Sequence, residues 1–131
     1  MMNSNKRDAN GQLLHGPAKE YFKDGKVSAE GEYVHGSKTA EWKYYFVSGG
    51  LRAIGNFVND QMDGPWKWYR ENGILMQTGS FNHGERAGIW ERYHAEGGLF
   101  DSGEYIGEKK IGEWKTWDKG GNLTKTKKYG S

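Results

Sequence analysis

A 24-residue period runs from Gly16 to Tyr129 without an insertion or deletion, which restricts the chain to architectures made by stacking one small unit. The five units begin at Gly16, Ala40, Gly64, Gly88 and Gly112. Ala18 and then Trp42, Trp66, Trp90 and Trp114 share one place in the unit, and Tyr21, Tyr45, Tyr69, Tyr93 and Trp117 share another. A glycine returns at Gly25, Gly49, Gly73, Gly97 and Gly121, followed two places on by Val27, Leu51, Leu75, Leu99 and Leu123. A second glycine column, Gly31, Gly55, Gly79 and Gly103, ends in Lys127, and a last aromatic column runs Tyr33, Phe57, Phe81, Tyr105 and Tyr129.

Each unit reads as a β-hairpin. Asp24-Gly25 and Asn72-Gly73 lie between aliphatic and aromatic runs, and such pairs favour a tight turn because glycine adopts positive φ at no steric cost. With Asp24 and Gly25 as a two-residue turn, Phe22 is expected to face Val27, Glu20 to face Ala29 and Ala18 to face Gly31. The same count sets Trp42 against Gly55, Trp66 against Gly79 and Trp90 against Gly103, an arrangement in which the indole covers poorly packed backbone. Side chains alternate along a strand, so the Trp, Leu, glycine and Tyr33-type columns are expected on one core face. The other face then carries Lys19, Lys43, Lys67 and Lys115 beside the Tyr21 column, unless a bulge in the first strand turns those tyrosines inward. Helical periodicity is absent and the links between units are too short for parallel crossovers. The fold class expected is all-β, an elongated, twisted antiparallel meander of about ten strands in one domain over residues 10–129, with a flexible segment at 1–9.

The pattern Gly-x-Trp-x-x-Tyr-x-x-x-Gly-x-Leu-x-x-x-Gly-x-Tyr/Phe, complete in Gly88 to Tyr105, resembles the bacterial variant of the MORN (membrane occupation and recognition nexus) repeat, and is most similar to YwqK-type antitoxins. The resemblance spans residues 10–129 and implies a twisted sheet used as a binding platform; in the antitoxin members it implies neutralisation of a cognate toxin. Ala18, Ala40, Asp60 and Lys127 depart from the pattern without disturbing the fold it implies.

The residues offer little chemistry. Nineteen basic and 17 acidic side chains leave a net charge of +2, which argues against nucleic acid as a partner. With no cysteine, thiolate metal sites and thiol nucleophiles are excluded, and His15, His35, His83 and His94 form no ligand spacing. Serines lack a nucleophile motif and the glycines follow the hairpin period, so neither enzymatic activity nor a cofactor or small-molecule substrate is expected. The first ten residues are polar, no signal peptide or membrane span is read, and the cytoplasm is the expected location.

Two constellations remain. Lys19, Lys43, Lys67 and Lys115 offer a surface for anionic lipid, or simply a solvated face on which lysine discourages aggregation. Of 19 aromatic residues, 14 fall in the three columns; Phe22, Tyr44, Phe46, Trp68 and Phe100 do not. Phe22, Tyr44, Phe46 and Trp68 are expected on the core face of the first three units, where the last two have Arg92, His94, Thr116 and Asp118. They read either as a partner-binding patch or as a thickening of the core at that end.

Overall fold

In a computed structural model that describes residues 6–130, the chain forms ten strands and no helix among those residues. They are β1 (Gly16–Tyr21), β2 (Val27–Val34), β3 (Ser37–Tyr45), β4 (Leu51–Val58), β5 (Gln61–Tyr69), β6 (Leu75–Asn82), β7 (Glu85–Tyr93), β8 (Leu99–Ile106), β9 (Lys109–Trp117) and β10 (Leu123–Tyr129). They lie in sequence order in one antiparallel sheet, each packed against its chain neighbours. Residues 1–5 of the segment expected to be flexible lie outside the described residues. Further on, Arg7 bridges Leu13, and the Lys6 N–H donates to the Gly36 carbonyl at 2.8 Å.

The two kinds of turn are exchanged relative to the sequence reading. Two-residue turns with positive φ at both places connect successive hairpins, at His35 (49°)–Gly36 (82°), Asn59 (50°)–Asp60 (67°), His83 (51°)–Gly84 (84°) and Gly107 (55°)–Glu108 (71°). The Asp-Gly tips are three-residue loops instead: Gly25 N–H donates to Phe22 O at 2.9 Å and Phe22 N–H to Lys26 O at 2.8 Å, and only Gly25 of the tip has positive φ. Phe22 therefore faces Lys26 rather than Val27. Above that closure the expected pairs Glu20 with Ala29 and Ala18 with Gly31 are present.

One extra residue on the second strand of each hairpin reconciles the two counts, and it changes a face. In β3–β4, Tyr44 opposes Ala53 and Tyr45 opposes Leu51, leaving Arg52 as the bulge. The same shift sets Leu75 against Tyr69, Leu99 against Tyr93 and Leu123 against Trp117. The leucine column is thus not on the core face; it shares the outer face with the tyrosines, which stay outward. The bulge residue swings inward, as Arg52 over the Tyr44 ring and Phe100 against Arg92 and His94 show.

The inner face is held by indoles. Trp42 pairs with Gly55 in register as expected, yet its ring does not cover that glycine. A Cβ on Gly31 would lie 2.2 Å from the Trp42 ring, one on Gly55 2.1 Å from Trp66, one on Gly79 2.2 Å from Trp90 and one on Gly103 2.0 Å from Trp114. Each indole therefore lies on the glycine of the preceding hairpin, across the seam between units. There the register skips, Ala40 and its equivalents entering αL geometry (Ala40 φ 58°, Gly64 φ 72°), and the ladder is interrupted. The indole N–H supplies a bond at that gap: Trp42 donates to Glu32 O at 3.0 Å, Trp66 to Asn56 O at 3.0 Å, Trp90 to Ser80 O at 3.1 Å and Trp114 to Glu104 O at 3.3 Å. Pro65 is tolerated inside a central strand because it occupies the same skip. Burial of the four indoles declines along the array, from 0% exposed at Trp42 and 1% at Trp66 to 6% at Trp90 and 9% at Trp114.

Gly55→Ala should lower the unfolding free energy by roughly 3 kcal/mol, because the new methyl and the Trp66 ring cannot both occupy the site. Gly50→Ala, whose Cβ would meet nothing closer than 4.0 Å, should be nearly neutral. Ala40→Gly should stabilise by about 1 kcal/mol, since glycine takes up φ 58° without the clash that alanine suffers. Urea denaturation of the three variants reads all of these, and equal losses for the two alanine variants would refute the seam lock.

Candidate functional site

Two lanes of rings run along the inner face. The first alternates edge-on contacts from Tyr33 through Trp42, Phe57, Trp66, Phe81, Trp90, Tyr105 and Trp114 to Tyr129, with centroids 5.1–6.4 Å apart. It carries the repeat. The second is built by the off-column residues: Tyr44 lies 6.3 Å from both Trp42 and Trp66, and Trp68 lies 5.9 Å from Trp66 and 5.6 Å from Trp90. It stops at Trp90, because the next residue in that column is Arg92.

The structure puts Tyr44 and Trp68 on the inner face, half-buried and packed against the core cluster. Phe22 and Phe46 sit apart at two hairpin tips, half-buried, each closing its loop through its backbone. In the later units the same tip place reaches the neighbouring hairpin: Arg70 Nη2 donates to Tyr93 O at 2.9 Å, and His94 Nε2 lies 3.0 Å from Trp117 O.

Cations roof the rings. Lys38 Nζ stands 4.8 Å from the Trp42 ring and 5.2 Å from Phe57, the Arg86 guanidinium 4.5 Å from Tyr105, and Lys110 Nζ 4.6 Å from Trp114. Lys38, Met62, Arg86 and Lys110 occupy one place of the repeat, so three cations in four units was a signal present in the sequence and unused. Arg92 grips Asp101 with two hydrogen bonds, Nε to Oδ1 at 3.0 Å and Nη2 to Oδ2, and stacks on Phe100 at 5.2 Å. Asp101 is only 8% exposed and carries its counter-ion with it.

The lysine column lies on the opposite face and is not continuous. Across the sheet the row reads Lys19, Glu30, Lys43, Ile54, Lys67, Thr78, Glu91, Ser102, Lys115. At its first end an open depression of about 690 Å³ brings Lys19 and Lys43 together with Glu30, Glu32 and Glu41, so carboxylates outnumber the lysines there. The Tyr45 hydroxyl donates to Glu30 and the Tyr93 hydroxyl to Glu91, tying the outer tyrosines to this row. Among the described residues no group of three or more His, Asp or Glu side chains is placed to hold a metal ion.

Burial, and then the hydrogen bond to Glu30, pushes the Tyr45 hydroxyl up to about 12. Burial and the charge of Glu20, whose Oε2 accepts from Tyr33 at 3.1 Å, raise Tyr33 as well.

Residues 14–35 and 62–83 each match the MORN repeat variant. The two stretches start two periods apart, so they fall on the same phase of the array, covering β1–β2 and β5–β6 with the turn that follows each. Two of the five units thus match the MORN repeat variant, and a repeat of this kind points to a binding or scaffold module. No curated protein matches the chain.

A tyrosine in the unfolded chain ionises near pH 10, whereas Tyr45 in the fold keeps its proton to about 12. The stability this supplies is complete below pH ~10 and is lost as pH rises through ~12. The urea midpoint should therefore fall over that window in the native chain and fall less steeply in Tyr33→Phe/Tyr45→Phe. Identical slopes in the two proteins would show that these hydroxyls do not couple to folding.

Proposed function

We propose that this protein is a non-catalytic binding module, an antitoxin or immunity protein of the cytoplasm that neutralises a cognate toxin by holding it on the inner face of the sheet. The observation that carries the reading is the single layer. No second sheet or helix lies over the inner face among the described residues; Trp42 and Trp66 are buried beneath their neighbours while Tyr44 and Trp68 stay half-exposed, and the chain exposes 8504 Å² where a compact protein of 14.9 kDa exposes about 7,000 Å². A specific interface takes about 800 Å² from each partner, an area one face of ten strands supplies.

The repeat-defining residues hold the sheet and are common to every unit, so discrimination falls to the places that vary. Tyr44 and Trp68 are the anchors of this reading, with Phe22 and Phe46 at the first two hairpin tips; large half-buried aromatics in a well-packed setting dominate binding energy. The resemblance of Gly88 to Tyr105 to the YwqK-type repeat supports the antitoxin form of the module.

The test replaces anchors by what later units carry at the same places, which the fold already accepts. Trp68→Thr takes the residue type of Thr116, and Phe46→His that of His94. Both variants should melt cooperatively, and capture of the protein encoded beside this one should weaken about 30-fold or more, the equivalent of roughly 2 kcal/mol. Undiminished capture by both folded variants would remove the inner face as the docking surface.

A further inference from the structure

Both faces of the sheet carry both signs of charge, the outer one Lys19, Lys43, Lys67 and Lys115 among Glu30 and Glu91, the inner one cations beside Glu20, Asp101 and Glu108. The side chains that reach over the inner rings are Lys38, Arg52, Arg86, Arg92 and Lys110, all cationic. The inner cations concentrate where the second aromatic lane ends. Two adjoining depressions of about 470 and 190 Å³ share Gln77 and Arg92; Arg70, His94 and Phe100 line the first, and Arg86, Asp101 and Lys110 the second.

Two of these cations, Arg70 and Lys110, are in no ion pair among the described residues. Arg70 gives one N–H to the Tyr93 carbonyl, but its Nε is buried and meets no acceptor among the described residues. A buried guanidinium N–H without an acceptor is unfavourable, and the Arg70 side chain that carries it also lines the first depression. Lys110 rests on the Trp114 and Tyr129 rings. Arg86 and Arg92 already hold Glu108 and Asp101, which fixes their guanidinium groups and leaves N–H groups on each.

We propose that this basic half of the inner face receives an acidic segment of the partner, one carboxylate seated at Arg70 and Arg92 and a second between Arg86 and Lys110. The inference rests on the reading of the inner face as the docking surface and adds the chemistry of its occupant: apolar side chains on Tyr44 and Trp68, followed by separated Asp or Glu residues. Arg70 follows β5 and Lys110 stands on β9, four strand spacings or roughly 19 Å across the sheet, too far for one small anion to satisfy both ends. Four cations are too few to follow a nucleic-acid backbone.

The probe is decaglutamate, titrated into the full chain and followed by the indole N–H resonances of Trp90 and Trp114. Decalysine, inorganic phosphate and a single-stranded oligonucleotide serve as comparisons. Decaglutamate is expected to shift both resonances, more strongly at low salt than at high. Arg70→Met and Lys110→Glu should each weaken it, and together by tenfold or more; both are checked for native melting, and Lys110 is exposed enough to be changed without disturbing the core. Absence of shifts with decaglutamate, or phosphate or the oligonucleotide binding as well as it does, would overturn the proposal. The partner experiment separates the two readings. Capture abolished by Trp68→Thr yet untouched by Arg70→Met/Lys110→Glu would leave the docking face standing and remove the acidic segment. Decaglutamate binding without any capture would do the reverse.

Discussion

The contact on which everything else depends is an indole lying flat on a glycine of the neighbouring hairpin. A two-stranded hairpin is marginal in water, and antiparallel pairing within one unit gives no reason for the next to stay beside it. At each seam the ladder is broken by the residues around the αL position, so backbone bonding alone would leave a weak line through the sheet. The Trp ring bridges that line twice, by covering Gly31 or its equivalents and by donating to the carbonyl one residue further on. Stability is then a sum over seams, and a defect at one is felt chiefly by the two units it joins.

The same device accounts for the two-faced character of the sheet. Because the indoles and the Tyr33-type rings build a sufficient inner core within a single layer, no second sheet or helix is required to cover it, and a broad surface remains for a partner. Variation is then free to accumulate beside the ring lane. The first half has used it for more aromatic surface, at Tyr44 and Trp68, and the second for charge, at Arg70, Arg86, Arg92 and Lys110.

Much of this was legible beforehand. Hairpins, the ten-strand meander and the Trp–Gly register followed from the period, because columns of bulky and absent side chains align only one way. The facing of the leucines did not follow, since one inserted residue such as Arg52 leaves the sequence pattern intact and reverses the face. Nor did the glycine under each indole: Trp66 stands opposite Gly55 on one side and Gly79 on the other, and only the direction of the side chain chooses. Tyr44 and Trp68 stood out because they broke a column. Arg70 and Arg92 did not, because a charge summed along the chain carries no information about which face holds it.

The progressive wetting of the indoles from Trp42 to Trp114 gives the array a polarity in time as well as in space. In a structure whose units touch only their neighbours, opening begins where the seam is least covered, and β10, with Leu123 to Lys128 all exposed, is the loosest leaf. By that measure the aromatic half is the better-covered handle and the cationic half the looser tongue. A partner that grips the tongue would be clamped by the very segment it orders, and would leave by peeling from that end.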